Sequence, residues 1–352
     1  MLDYIIVGQG VAGSCFAQKL MREKKTFLVI DENKNKASSV AVGIYNPVVL
    51  KRFSLIWNAE EQLKLMFDYF HYFEHLLNEK FIEEVPTYRI FKNKDEIKTW
   101  QKKAEFPELK PFLNKEIFHS NFPKIQTNFG FGEVKQTGRI DLGNCLELFQ
   151  NYLEEKNLFR NEKFDYPEIQ FQENHIQYRD IQAKRIVFCE GFGVKENPFF
   201  SHLPVIGVKG EVLKIKTETE IPKAIWKAYN FLLPLEENIC LTASTYDRDD
   251  LTPDPTEKGK LEIQKYLGEI YTGNYKILEQ TAGIRPTIID RRPVLGNHHL
   301  HQNLWILNGM GTRGTLLAPQ MTEFIFNKIE FDKDLPKETD VKRFEKYLNQ
   351  QI

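Results

Sequence analysis

The sequence reads as an α/β protein of two interleaved parts, a doubly wound parallel sheet and a second, antiparallel sheet in an α+β unit. Three observations predict this. An apolar run breaks into glycines at Gly8, Gly10 and Gly13, then continues into a helix and a second apolar strand. Residues 204–248 alternate apolar and polar side chains. The 352 residues also exceed the roughly 250–300 at which a single core stops growing.

In chain order, residues 3–7 form a buried strand and 11–23 a helix whose small first-turn residues allow close approach to a sheet. "TFLVIDEN" gives a second strand ending at Asp31, which completes a βαβ opening. Residues 58–80 set Leu63, Met66, Phe67, Phe70, Phe73 and Leu77 at helical spacing and predict a long amphipathic helix. "TYRIFKN" reads as a strand, "DEIKTWQKKAE" as a helix, and Asp141 as the cap of a helix over 141–156. "KRIVFCEG" (184–191) is a buried strand ending in glycine. "GVKGEVLKIKTE", "NFLLPL" and "NICLTAST" are antiparallel strands, and "PTEKGKLEIQKYLGEI" is a helix. "LWILNG" and "GTLLAPQMTEFIFNKI" make a strand-to-helix unit, and the charged tail from 331 ends in a surface helix.

Composition excludes several classes. Lys plus Arg (48) nearly balances Asp plus Glu (49), so no whole-chain field draws the protein to nucleic acid or anionic lipid. Cys15, Cys145, Cys189 and Cys240 lie far apart without a C-x-x-C pair, which fits buried thiols in the cytoplasm. Asp3 precedes the apolar start, unlike a secretory signal, and no apolar run approaches the ~18 residues of a membrane span. No metal site is expected: Tyr72 stands between His71 and His75 where H-E-x-x-H needs Glu, and "NHHLHQN" (297–303) reads as a surface loop. No G-x-S-x-G elbow supports a hydrolase.

The opening "IIVGQGVAG" carries the strongest chemistry. Gly8 permits a tight turn, Gly10 lets a pyrophosphate approach the backbone, and Gly13 lets the helix pack on the strand. The helix start at Val11 and Ala12 offers free N–H groups and a partial positive charge. Asp31, about 20 residues on, can accept from ribose hydroxyls. The loop therefore binds a dinucleotide, and the pattern does not separate a nicotinamide from a flavin. Arg285 precedes Pro286, which favours extended, stiff backbone and a guanidinium able to grip a carboxylate bidentately; the alternative is a salt bridge to Asp290.

Six further segments occur in a telling order: "ASSVAVGIYNP" (37–47), "GRIDLGNCLELF" (138–149), "IVFCEGFG" (186–193), "PVIGVKGEVL" (204–213), "AGIRPTIIDRRPVLG" (282–296) and "LWILNGMGTRGTLLAP" (304–319). Over nearly its whole length the chain resembles the D-amino-acid oxidase (DAO) superfamily, which includes glycine and sarcosine oxidases and the flavin domain of a bifunctional tRNA wobble-uridine enzyme. The resemblance implies a Rossmann-like, glutathione-reductase-like FAD-binding domain from 1–80, 136–203 and 282–352, and a substrate domain from 81–135 and 204–281. It implies noncovalent FAD held by Gly8, Gly10, Val11, Ala12, Gly13, Asp31 and Glu32. Ser38, Ser39 and Gly43 would sit near the isoalloxazine and ribityl chain, and Gly191 near the diphosphate or adenine. Gly309, Met310, Gly311, Thr312, Arg313, Gly314 and Thr315 would direct N–H donors at the pyrimidine end of the ring. Relatives commonly follow the ribose carboxylate with Arg, whereas Glu32 and Asn33 stand here.

By the same resemblance, Arg285 anchors a substrate carboxylate. Tyr229 either borders the pocket or packs in a core, and Lys209 either lines the flavin or faces solvent. The implied function is oxidation of the C–N bond of a small amino acid or N-substituted glycine by hydride transfer to flavin N5, with O2 reoxidising the cofactor. An alternative is a tRNA-modifying enzyme that removes a carboxymethyl group from a modified wobble uridine. "GMGTRG", which resembles "GSRG" of the tRNA enzyme, suggests it; the neutral charge balance and the absence of a methyltransferase domain weigh against it. A second alternative is a flavin subunit that passes electrons to a protein or quinone. A third, flavin binding without catalysis, requires Arg285 to be locked in a structural ion pair.

Overall fold

The computed structural model describes residues 1–34, 37–119, 122 and 124–350. The opening folds as β1 (Leu2–Val7), α1 (Val11–Arg22) and β2 (Phe27–Asp31). Later come α2 (Ala59–Leu77), α3 (Leu142–Glu155), β3 (Ile181–Phe188), β4 (Val205–Thr217), β5 (Tyr275–Ile288), β6 (Leu304–Asn308) and α4 (Gly314–Phe331). β1 runs parallel to both β2 and β3, Phe159–Asn161 adds parallel to β2, and β6 adds parallel to β3. Alternate residues of these strands enter different cores: Tyr4, Ile6, Val29 and Val187 pack on one face, and Ile5, Val7, Ile30, Ile186 and Phe188 on the other. Burial on both faces is why the strands read as unbroken apolar runs rather than alternating ones.

On one face, α1, α2, α3 and α4 share a core with Phe16, Met66, Phe73, Phe149 and Met321. The 58–80 prediction holds over 59–77; Asn58 and Asn78, both in left-handed backbone, bound the helix. Asp141 stands at the start of α3 as expected, but its side chain makes no capping bond. Its carboxylate instead accepts from Arg139 at 2.9 Å.

The second sheet has eight strands with β5 at one edge beside β4, and its neighbours are antiparallel except where Ile225–Lys227 runs parallel to Thr87–Ile90. β4 and β5 pair from Val205↔Ile288 to Thr217↔Tyr275, one long ribbon with a register shift between Lys214 and Ile215 that continues in register across residue 282. Helix Glu257–Leu267, capped by Thr256 accepting from the Gly259 N–H, covers this sheet with Ile263 and Leu267. The tail is a 3₁₀ segment (341–350) rather than a free surface helix: Phe344 is buried and Arg343 pairs with Asp290 at 2.9 Å. The "NHHLHQN" loop also packs more closely than a surface loop. His298 is buried, its Nδ1 accepts the Leu300 and His301 N–H groups at 3.2 Å, and burial pushes its pKa down to about 4.

Among the described residues no helix is long and apolar enough to cross a membrane and no group of acidic, His or Cys side chains could hold a metal ion. The four cysteines are buried and unpaired.

Candidate active site

A cavity of about 620 Å³ opens where the C-terminal ends of β1, β2 and β3 meet the β4–β5 ribbon. Gly8, Gly10, Val11, Ala12, Asp31, Glu32, Ser38, Gly43, Gly191, Arg285, Met310, Gly311, Thr312, Gly314 and Thr315 line it. These positions come from five distant stretches of chain. Gly13, Ser39, Gly309, Arg313 and Tyr229 are not among its lining residues.

Local sterics explain the glycines. Gly8 adopts φ +99°, and a Cβ there would stand 2.6 Å from the Cys189 carbonyl oxygen. A Cβ on Gly13 would stand 1.9 Å from the Gly8 carbonyl oxygen, so Gly13 shapes the cradle from behind the wall. Gly43, at φ +78°, would meet the Ile140 oxygen at 1.9 Å. Ser38 accepts the Val11 N–H at 3.1 Å, which ties the 37–43 loop to the start of α1. The Asp31 carboxylate accepts the N–H groups of Gln9 and Asn33. Gly309, at φ +81°, packs under Ile288. In the turn that follows, the N–H groups of Gly311 and Arg313 are taken by Pro286 O (3.0 Å) and Met310 O (3.2 Å), so they are not free donors.

Arg285 sits on β5 opposite Val208. Its guanidinium donates to Thr245 O at 3.1 Å and to Ser244 Oγ, and lies 5.0 Å from the centre of the Tyr246 ring. Burial lowers its pKa, while Tyr246 acts in the opposite sense. No carboxylate lies within ion-pair distance of it among the described residues, because Asp290 is held by Arg343. The Arg285–Asp290 alternative therefore falls. Gly210 makes the space: a Cβ there would lie 1.7 Å from Arg285 Nη2.

Tyr229 is half exposed and stacked on Tyr266 at 4.0 Å, in the bend between the strands Ile225–Lys227 and Phe231–Pro234 and outside the cavity lining. It is neither a pocket nor a core residue. Lys209 takes neither of its two expected places. It is fully buried, and its ammonium pairs with Asp250 at 2.6 Å and donates to Thr252 at 3.2 Å. Among the lining residues that the sequence reading did not assign to the site are Gly210, Tyr246 and Glu190. Glu190 is pushed up to about 7 by burial, against the hydrogen bonds it accepts from Asn197 (2.7 Å) and Tyr166. A carboxylate at the end of the apolar run "IVFCEG" was the available signal for it; Tyr246, in the polar loop "STYDRDD", carried none.

The cavity fits a dinucleotide flavin on its own evidence. At Gly8 and Gly43 a Cβ would collide with backbone, the walls join the start of α1 to Asp31, and the volume falls in the range of cofactor sites.

Comparison with known proteins agrees. A family model described as "DAO: FAD dependent oxidoreductase" matches residues 3–325. The chain is 22% identical over 187 residues to the tRNA 5-methylaminomethyl-2-thiouridine biosynthesis bifunctional protein of Marinobacter nauticus, a match covering 47% of this chain and 30% of that protein. It is 24% identical over 160 residues to glycine oxidase of Bacillus subtilis, covering 42% of this chain and 43% of that one. These matches span less than half of either relative. Among solved structures, glycine oxidase from Geobacillus kaustophilus superposes with a TM-score of 0.79 at 16% identity over 97% of both chains. Iminodiacetate oxidase from Chelativorans sp. gives 0.78 at 16% identity over 96% of this chain and 98% of that one. With the family model spanning almost the full length over a cradle shaped for a dinucleotide, the chain belongs to the DAO family of FAD-dependent oxidoreductases.

Proposed function

We propose that this enzyme oxidises the C–N bond of a small amino acid or N-substituted glycine. The observation that carries the reading is Arg285, a half-buried guanidinium on the cavity wall with no acidic partner among the described residues. A buried charge without its counter-ion is costly, so the site favours an anion, and a planar fork favours a carboxylate. Ser244 and Thr245 hold the guanidinium, Gly210 leaves it room, and Tyr246 covers it. Fixing the carboxylate fixes the Cα–H of the substrate, which is the positional part of catalysis. Bound FAD supplies the acceptor for two electrons and the Cα hydrogen. The amine then becomes an imine, which water hydrolyses, and O2 serves as the final oxidant with release of peroxide.

A second reading applies the same chemistry to a carboxymethylamino group on a tRNA uridine. It is favoured by the similarity to the Marinobacter protein and by paired arginine and aromatic side chains, Arg285 with Tyr246 and Arg292 with Trp57, each about 5.0 Å apart. Anaerobic mixing of the yellow holoenzyme with glycine, sarcosine, proline and D-amino acids separates the two. Bleaching by one of these amines is the expected result; bleaching only by a carboxymethylaminomethyl-modified tRNA overturns it.

A further inference from the structure

Lys209 is a fully buried charge, and among the described residues its one carboxylate partner is Asp250, on the loop that also carries Ser244, Thr245 and Tyr246. Side chains alternate along a strand, so Gly207, Lys209 and Glu211 point to one face of β4, and Val208 and Gly210, beside Arg285, to the other. Strand Ile239–Ala243 pairs with β4 as far as Val212↔Ala243. Beyond that point the loop takes the strand's place. The Glu211 N–H donates to Thr245 Oγ1 at 3.0 Å, and the backbones of Lys209 and Asp247 exchange hydrogen bonds of 2.7 and 3.1 Å.

The Lys209 ammonium fastens the loop from the face of β4 opposite Arg285. It pairs with Asp250 and donates to Thr252, and Asp250 in turn accepts the Thr252 N–H at 2.9 Å and hydroxyl at 2.7 Å. Between these fixed points stand Tyr246, whose ring centre lies 5.0 Å from the Arg285 guanidinium, and Leu251, which packs over Gly207. Tyr246, Leu251 and Pro253 all line the cavity, yet all three are exposed, so their own packing holds them weakly. A buried ammonium that loses its carboxylate is strongly destabilised, so burial of Lys209 requires the loop to stay where Asp250 can reach it.

We propose that Lys209 is a positioning residue: through Asp250 it holds the 244–253 loop closed against β4, which keeps Tyr246 over Arg285 and completes the carboxylate site. Lys209 is absent from the cavity lining, so it acts only through the loop. This rests on the reading of Arg285 as the carboxylate anchor.

The test reads the loop and the site separately in the holoenzyme. Arg248 is exposed in the loop, so trypsin cleavage after it, followed by mass spectrometry, reports opening. Acetate titration, followed by the perturbation of flavin absorbance, reports the site. Lys209→Met and Asp250→Asn should each speed the cut at least ~10-fold, because cleavage follows the open population, and bound acetate should slow it. Each should also raise the Kd of acetate about 10-fold, the order of one lost charge-assisted contact, with the flavin spectrum retained. The double variant should match Lys209→Met rather than the sum of both, and Lys209→Arg should restore part of the binding. Tyr246→Ala should weaken acetate as much as Asp250→Asn does. Lys258→Met removes an exposed pair with Asp247 on the same loop and should change neither readout.

Faster cutting with unchanged acetate binding makes the pair merely structural and overturns the proposal. So do parent-like behaviour of Asp250→Asn, parent-like acetate binding by Tyr246→Ala, or an effect of Lys258→Met equal to that of Asp250→Asn. Loss of the flavin from Asp250→Asn assigns the loop to the cofactor and overturns it too. If Lys209→Met does not fold, Asp250→Asn and Tyr246→Ala decide alone. If acetate leaves the parent flavin unperturbed, or if Arg285→Met binds it as before, the anchor reading fails as well. Binding lost in Arg285→Met but kept in Asp250→Asn sinks this proposal and leaves that reading standing.

Discussion

Individual side chains set the chemistry, and two of them give direct tests. Substituting Gly210 by Ala places a methyl where the Arg285 guanidinium now lies, since the Cβ would approach Nη2 to 1.7 Å. The side chain has to move, so KM for a carboxylated substrate should rise at least ~10-fold in Gly210→Ala, with a smaller change in kcat; steady-state kinetics over a wide substrate range check this. Glu190 gives a pH test. Its native pKa, about 7, stands above the ordinary 4.5, chiefly through burial. Below the ordinary value both folded and unfolded forms hold the proton and nothing is lost. As pH rises through 5 to 7 the unfolded chain releases a proton that the native one keeps, so stability falls, by on the order of 3 kcal/mol once pH exceeds the native value. Glu190→Gln should flatten that dependence in urea unfolding of the flavin-free protein and leave the variant more stable than the parent at pH 8. A parent curve that is already flat would show that Glu190 is ionised at neutral pH.

Among the elements, helix packing carries the stability and strand pairing carries the site. Phe73 of α2 meets Phe149 of α3 edge to face, ring centroids 4.9 Å apart, in a core that has no solvent around either ring. Phe73→Ala should cost about 3–5 kcal/mol through lost burial and the cavity left behind, measured as a lower midpoint of chemical unfolding with an unchanged slope. The β4–β5 ribbon matters differently. It holds Arg285 opposite Val208 and Gly210 opposite Gly283, so register alone brings the arginine beside the glycine that accommodates it. Gly283 has its own constraint, since a Cβ there would lie 2.5 Å from Val40 of the loop that closes on the glycine cradle.

Taken as a unit, the protein is built around a space that a cofactor is meant to fill. The cavity of some 620 Å³ between the two sheets is walled by loops from five parts of the chain, so a cofactor bound there contacts all five at once. FAD that binds only the native form raises stability by mass action, about 2.7 kcal/mol when present at a hundred times its Kd. Removing it should lower the thermal midpoint, and adding it back should restore the midpoint in a concentration-dependent way. A midpoint indifferent to FAD would mean that the cradle does not hold it.

Much of this was legible in the order of the residues because the causes are local. Gly8 is needed by the turn it sits in and Gly13 by the close approach of α1 to that turn, the apolar runs around them are needed by strands buried on both faces, and Pro286 stiffens the arginine before it. Long-range packing decided the rest. Nothing within "IRPTIID" says that Asp290 turns to Arg343 and leaves Arg285 without an acidic partner among the described residues, nor that Lys209 buries its charge against Asp250. Tyr229 and Tyr246 look alike in the chain, yet the bend and loop carrying them place one against Tyr266 and the other over the Arg285 guanidinium. Spacing along the chain encodes backbone conformation and which face a residue takes; the partner a charge finds depends on which distant segments the sheets bring to it, and no local pattern records that.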